Sequence, residues 1–316
     1  MRIGFITDPL DSLKIKKDST YAMMAEATRR SHELYVMQQD DLVWKRNHVF
    51  AVMSQITLRK GSGSWYALDP ASETRLSDLD CVIMRKDPPF DVEYVTSTWL
   101  LEQAQREGAR IFNDPRALRD HSEKLAIAQY PQFLAPTLVA RSANQLHGFI
   151  DEHADVILKP LDGMGGESIF RVTEYDPNRN VIVETLSDHG RRSVMAQRYI
   201  EQIRDGDKRV LLIGGKPVPH CLARIPKPGE SRGNLAAGGT GVARPLTARD
   251  LEIANTLGPE LARRGLLLVG LDVIGEFLTE INVTSPTCFQ EITDQTGFNV
   301  AGMFMDELQA ACAART

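Results

Sequence analysis

Ile157-Leu158-Lys159-Pro160-Leu161-Asp162-Gly163-Met164-Gly165-Gly166 is the stretch on which the reading of this chain turns. Residues 156–160 have the apolar texture of a strand, and Lys159 stands at its end, just before glycines whose amides can come close to an anion. That is a phosphate cradle with its counter-charge. No Gly-Lys-Ser/Thr follows, so the segment is not a Walker loop, and its spacing is not GxGxxG either. In isolation the same residues also suit a plain hairpin turn with a surface lysine.

Working outward, 316 residues are about twice the usual domain length, enough for two or three packed units. Residues 2–7, 32–37, 79–85 and 108–112 read as strands, and 21–30 and 92–107 as helices, the first preceded by the cap candidates Asp18, Ser19 and Thr20. This alternation predicts a small parallel-sheet α/β domain. Residues 42–68, around Lys60-Gly61-Ser62-Gly63, interrupt it as a hairpin excursion. A boundary falls near Asn113-Asp114-Pro115, before a helix carrying Lys124. Ser142 with Gln145 predicts a capping-box helix to about His153, and 168–172 and 194–200 read as strands. Gly214-Gly215 signals a hairpin, residues 247–264 a helix, 266–283 paired strands, and a last helix starts near Val300.

The 37 basic and 42 acidic residues are mixed along the chain and leave a net charge of −5, which argues against nucleic acid as a partner. Cys81, Cys221, Cys288 and Cys312 lie far apart, with no CxxC pair, so neither a zinc site nor a disulfide framework is expected; reduced cytoplasmic thiols are. No run reaches the roughly 20 apolar residues of a membrane span, and residues 1–7 lack the apolar core of a signal peptide.

Four further groups carry chemistry. Glu280 and Asn282 are two apart, hence on one face of a strand, and offer hard oxygens suited to magnesium bridged by phosphates. Asp272 joins that face if the connecting loop has an odd number of residues; a two-residue Gly275-Glu276 turn points it to the other side. In a hairpin centred on Gly214-Gly215, Leu211 opposes Val218, and Arg209, His220 and Arg224 share a face. Two guanidinium forks there suit a carboxylate or a phosphoryl group, or else are simply solvated. The glycine-rich stretch 225–241 also holds Arg232 and Asn234 and reads as a mobile lid. Arg85, in Met84-Arg85-Lys86-Asp87-Pro88-Pro89-Phe90, hangs from the C-terminal end of a strand, where open parallel sheets place ligands.

These pieces, in this order, resemble the bacterial glutathione synthetase family of ATP-grasp ligases. The blocks that carry the resemblance are residues 84–91, 158–166, Gly206-Asp207-Lys208-Arg209-Val210, 231–239 and 278–287. It covers nearly the whole chain. What it implies is an α/β (α+β multi-domain) architecture: an ATP-grasp fold with an N-terminal Rossmann-like pre-ATP-grasp domain over 1–120, a central lid domain over 121–200, and a catalytic domain over 201–316 with a mobile loop at 225–241.

The resemblance also implies roles. Lys124, Lys159, Gly165 and Gly166 would meet the ATP phosphates, Gln197, Tyr199 and Ile200 the adenine, and Asp207 the ribose. Asp272, Glu280 and Asn282 would hold two Mg2+ ions, with Mn2+ as a substitute. Arg209 and Arg232 would serve catalysis, and Arg85, Arg224, Asn234, Ser285 and Thr287 the substrates, γ-glutamylcysteine and glycine. The implied reaction gives glutathione, ADP and phosphate, in a homotetramer. The chain departs from the family in reading Ile200-Glu201 after Tyr199, without the proline often found there. The rival readings are another ATP-grasp carboxylate–amine ligase, such as one joining D-alanine residues, and a non-catalytic nucleotide-binding protein of the same fold.

Overall fold

The computed structural model describes residues 1–314 apart from 60, 62, 231, 236 and 237, so Lys60 and Ser62 of the expected hairpin tip and Ser231, Ala236 and Ala237 of the expected lid lie outside the described residues. Three sheets organise the described residues. In the first, Glu33–Met37, Arg2–Ile6, Cys81–Met84 and Ile111–Phe112 run parallel, and the long strand His48–Leu58 extends the sheet antiparallel, carrying Leu42–Lys45, Tyr66–Leu68 and Ser72–Arg75. The excursion expected at 42–68 is thus an extension of the main sheet. The helices alternate with these strands as the apolar pattern requires: Ser19–Arg29 is capped by Asp18 and Val92–Arg106 by Asp91, each carboxylate accepting a first-turn amide.

The second sheet, Phe170–Thr173, Asp155–Pro160, Val194–Arg198 and Thr137–Ala140, is antiparallel. Its core of Leu146, Ile150, Val156, Leu158, Val172 and Val183 comes from one sheet face and the helices Ala143–His153 and Arg179–Ser187. Ser142 does occupy the N-cap, but its side chain makes no capping hydrogen bond, so the capping box expected with Gln145 is not formed. Lys124 is likewise not in a helix: the helix Pro115–Asp120 ends before it, and it opens a short 3-10 turn, Leu125–Gln129.

The third sheet orders Thr240–Pro245, His220–Ile225, Asp207–Ile213, Leu268–Ile274 and Phe277–Asn282, all antiparallel. Ala248–Arg263 packs on it with a formed Thr247–Asp250 capping box, and Phe289–Thr296 and Val300–Ala313 close its other side. It shares hydrophobic cores with the first: Ile3, Phe5 and Ile83 cluster with Leu211, Phe289 and Phe304, while Met195 of the second sheet joins the core that holds Ile6, Met84 and Leu271. Asn113 fastens the junction. Its Nδ2 donates to the Leu268 and Val283 carbonyls, both at 2.8 Å, and its Oδ1 accepts from Leu268 N.

Candidate active site

Between the second and third sheets lies a cavity of about 300 Å³. The residues that fill its walls arrive there through two local irregularities. The hairpin Leu268–Ile274/Phe277–Asn282 does turn on the two residues Gly275-Glu276, with Ile274 opposite Phe277 and Val273 opposite Leu278. Strict alternation would then turn Asp272 away from Glu280. Instead a β-bulge places the extra residue Thr279 on one strand, so Asp272 pairs with Glu280 and Gly270 with Asn282. All three polar residues face the cavity, and the Thr279 carbonyl is freed to accept Lys159 Nζ at 3.3 Å.

The second irregularity lies across Pro219-His220. Near the turn Leu212 faces Pro217, but further along Arg209 faces Leu222 and Asp207 faces Arg224, a slip of two residues that preserves face parity. Arg209 and Arg224 therefore do share a surface, and it is buried: they are 6 % and 4 % exposed. Both hold Asp272, Arg209 Nε at 2.6 Å from Oδ1 and Arg224 Nη2 at 2.9 Å from Oδ2. A Cβ at Gly270 would sit 2.9 Å from Arg209 Cδ, so only glycine leaves room for this guanidinium to lie across the strand. Arg224 also binds Asp207 Oδ2 at 2.5 Å.

Charges in this cluster divide unevenly. Burial alone would push both carboxyls up, but Asp272 receives two guanidiniums and is held well below the usual carboxylate range. Asp207 has Arg224 as its near partner, is repelled by Asp272, keeps one buried oxygen without a partner among the described residues, and is pushed up by burial to about 6. Arg224, against the cost of burial, is raised well above its ordinary value by the two carboxylates. A carboxyl held at about 6 binds a proton in the folded state that the unfolded chain releases near 3.9, so this group withdraws stability as pH rises from about 4 to 6. Replacing Asp207 with Asn removes that loss. The Tm difference between variant and parent should move in the variant's favour from pH 4 to pH 6.5; a difference independent of pH would contradict the raised carboxyl.

On the facing sheet, Lys159 is 6 % exposed, and burial lowers its ammonium below lysine's usual value, with Glu280 opposing the shift and Lys124 adding to it. Lys124 Nζ is 3.0 Å from Glu280 Oε1 and donates to the Gly163 carbonyl. Gly165 and Gly166 take left-handed φ values of +63° and +84°. A Cβ on Gly166 would lie 2.6 Å from Asn234 Oδ1, and Arg232 Nη1 donates to the Gly166 carbonyl at 3.2 Å, so the loop expected as a lid rests on the glycine turn.

Gln197, Tyr199 and Ile200 line the opposite end with Ile157, Ile169, Ile203 and Ile274, an apolar slot with a polar edge. Ser285 and Thr287 line the mouth, where Ser285 Oγ donates to Asp87. Arg85 does not line the cavity: it is buried behind the wall, donating to Thr20 Oγ1 and the Pro286 carbonyl, with Nη1 unpaired among the described residues. Asp87, within the 84–90 segment expected at a ligand end, lines the cavity, and so does Glu123, which sequence reasoning missed although it adjoins Lys124. A glutamate beside a chosen lysine carries no pattern of its own. Among the described residues no three His, Cys, Asp or Glu side chains gather into a metal-binding group, so a cation here would rely on Asn282 and on ligand oxygens as well as the carboxylates.

Two family models match the chain: Prokaryotic glutathione synthetase, N-terminal domain, over residues 1–119, and Prokaryotic glutathione synthetase, ATP-grasp domain, over 123–297. The chain belongs to the prokaryotic glutathione synthetase family. Among its relatives in that family, the glutathione synthetase of Ralstonia nicotianae is 61 % identical over 311 residues, 98 % of this chain and 96 % of that protein. That of Nitrosomonas europaea is 58 % identical over 318 residues, 100 % of this chain and 99 % of that protein. The chain is thus an ATP-dependent ligase. The fold is shared more widely: D-cycloserine synthetase DcsG superposes with a TM-score of 0.66 at 15 % identity, covering 99 % of this chain and 100 % of that one. The ATP-grasp ligase PsnB, complexed with minimal precursor, Mg and ADP, gives 0.63 at 15 %, covering 99 % and 98 %.

Proposed function

We propose that this glutathione synthetase family member joins γ-glutamylcysteine to glycine at the expense of ATP, giving glutathione, ADP and phosphate. The observation that carries the reading is the end-to-end identity of 61 % with a protein named glutathione synthetase. The site chemistry supports it. A carboxylate is a poor electrophile, so the cysteinyl carboxylate oxygen takes the γ-phosphoryl group and ADP leaves. The glycine amine then attacks the acyl carbon, and phosphate departs as the C–N bond forms. In this reading Lys124, Lys159 and the amides of Gly165 and Gly166 hold the nucleotide phosphates, the 197–200 slot takes adenine, and Asp207 lies on the ribose side. Arg209, Arg224 and Arg232 oppose the charge of the phosphoryl group and tetrahedral intermediate, each such contact contributing about 3 kcal/mol. Asn234, Ser285 and Thr287 face the peptide, and Arg85 supports that wall from behind.

The oxygens of Glu280 and Asn282, with Asp272 beside them on the same face, are a donor set that fits Mg2+ or Mn2+. When bound, the metal neutralises phosphate charge during transfer. The division into 1–120, 121–200 and 201–316, the homotetramer and the cytoplasmic setting complete the proposal. Among the described residues no helix is long and apolar enough to cross a membrane. The test is phosphate release with γ-glutamylcysteine and a panel of amines: release that needs both the dipeptide and glycine is expected, and release with D-alanine alone would overturn the reading.

Two variants probe its parts. Lys159→Ala should raise the KM for ATP by about tenfold or more, since a buried charge-assisted contact is lost in the ground state as well. An unchanged KM would count against the phosphate role. The loop 225–241 shields the acyl phosphate from water in this reading, its grip being Arg232 and Asn234 on Gly166. Arg232→Ala should therefore release more than one phosphate per glutathione; a ratio of one at normal turnover would reduce the loop to a linker.

A further inference from the structure

Phe277–Asn282 is the edge strand of its sheet, bonded to Leu268–Ile274 on one side only. An open edge leaves amides unpaired and a strand free to shift, yet this strand carries Glu280 and Asn282. Beyond the Lys159 bond to the Thr279 carbonyl, Glu123 closes its outer side among the described residues. The Glu123 carbonyl accepts from Ile281 N at 2.9 Å, and Glu123 Oε1 accepts from Val283 N at 2.8 Å, Thr284 N at 3.0 Å and Thr284 Oγ1 at 2.9 Å. These bonds flank Asn282 in the chain. The next residue, Lys124, binds Glu280.

We propose that Glu123 is a positioning residue that clamps the free edge of this strand and so sets Glu280 and Asn282 at the geometry a nucleotide-bound divalent cation requires. The inference rests on the reading of those two residues as metal-side oxygens. The clamp depends on reach rather than charge, because one oxygen at the end of a two-methylene arm meets three donors. Glu123→Gln keeps that arm and an acceptor oxygen. Glu123→Asp keeps the charge but withdraws it by about 1.5 Å, one carbon–carbon bond.

Mn2+ binding in the presence of a non-hydrolysable ATP analogue, followed by electron paramagnetic resonance, separates the cases. Glu123→Asp should weaken Mn2+ binding by about 10- to 100-fold, the range for residues that orient metal ligands, and Glu123→Gln by no more than about threefold. Amide exchange at Val283 and Thr284 should quicken in Glu123→Asp and not in Glu123→Gln. Equal losses in the two variants, or parental Mn2+ binding by Glu123→Asp, would overturn the clamp. If Glu123→Asp does not fold, a folded Glu123→Gln with a tenfold or greater loss by the same scale overturns it, and retained binding supports it. Glu280→Gln in the same titration isolates the underlying reading: unchanged Mn2+ binding there overturns both, whereas weakened binding with parental Glu123→Asp overturns the clamp alone.

Discussion

Glu280→Gln is expected to lower kcat by about a hundredfold or more while the fold stays intact. Glu280 sits on the cavity face of an edge strand, partly exposed, with Lys124 as its ion-pair partner among the described residues. Losing that charge leaves Lys124 with the Gly163 carbonyl as a remaining partner, so the stability change should be small, within about 3 °C of Tm. On the proposed metal role, turnover should fall because the carboxylate oxygen that would hold the cation countering phosphoryl charge becomes a weaker amide ligand. The measurement is ADP release against magnesium concentration. Turnover near that of the parent at low magnesium would remove Glu280 from the metal site, and a large drop in Tm would make it a structural residue.

Asp272→Asn should behave differently although Asp272 pairs with Glu280 across the same hairpin. Asp272 is 2 % exposed and is the shared partner of two buried guanidiniums. Its removal leaves Arg209 and Arg224 with the Asp207 carboxylate as their acidic partner among the described residues, and breaking a buried ion pair from one side costs about 3–5 kcal/mol. Activity and stability should therefore fall together. Because the arginines hold this carboxyl well below its ordinary value, its contribution is complete above the unfolded value near 3.9 and is lost as pH falls through the folded value. Urea denaturation at pH 7 should show the full difference from the parent, and at pH 3 a smaller one. A loss below about 1 kcal/mol at pH 7 would mean that the cluster carries little net stabilisation.

The contrast between these neighbours was not available from residue spacing. Glu280 and Asn282 could be assigned to one face because strand alternation has a period of two, and that held. The face of Asp272 depended on loop parity, and the parity argument failed in an instructive way: the turn has two residues, but the bulge at Thr279 restores the alignment. A bulge adds one residue without any required letter, so threonine among apolar neighbours gave no warning. The slip across Pro219-His220 is similar; it escaped notice and happened to conserve parity, which is why Arg209 and Arg224 still meet.

Other local signals stood in the letters alone. Asp18, one of three cap candidates, caps its helix as short-range hydrogen bonding dictates, whereas Thr247, read as the first helical residue, is itself the cap of the next. Ser142 with Gln145 carries the same signature and forms no cap hydrogen bond, because a cap also needs the side chain to turn inward. The helices Arg179–Ser187 and Phe289–Thr296 went unread; they are only nine and eight residues long, too short for their apolar spacing to stand out from a loop.

By itself, then, the sequence determined the alternation of strands and helices, the glycine turn with its lysine, the acidic strand, the arginine pair and the family, since all of these rest on neighbours within a few residues or on ordered blocks. Only the tertiary structure decided that Arg209 and Arg224 are bound to Asp272 rather than free, that Arg85 lies behind the cavity wall, and that Glu123 closes the edge beside Asn282. Those outcomes depend on contacts between residues 48 to 201 positions apart in the chain, set by the packing of separate sheets, and no local pattern records which distant side chain will supply a buried charge or an open edge with its partner.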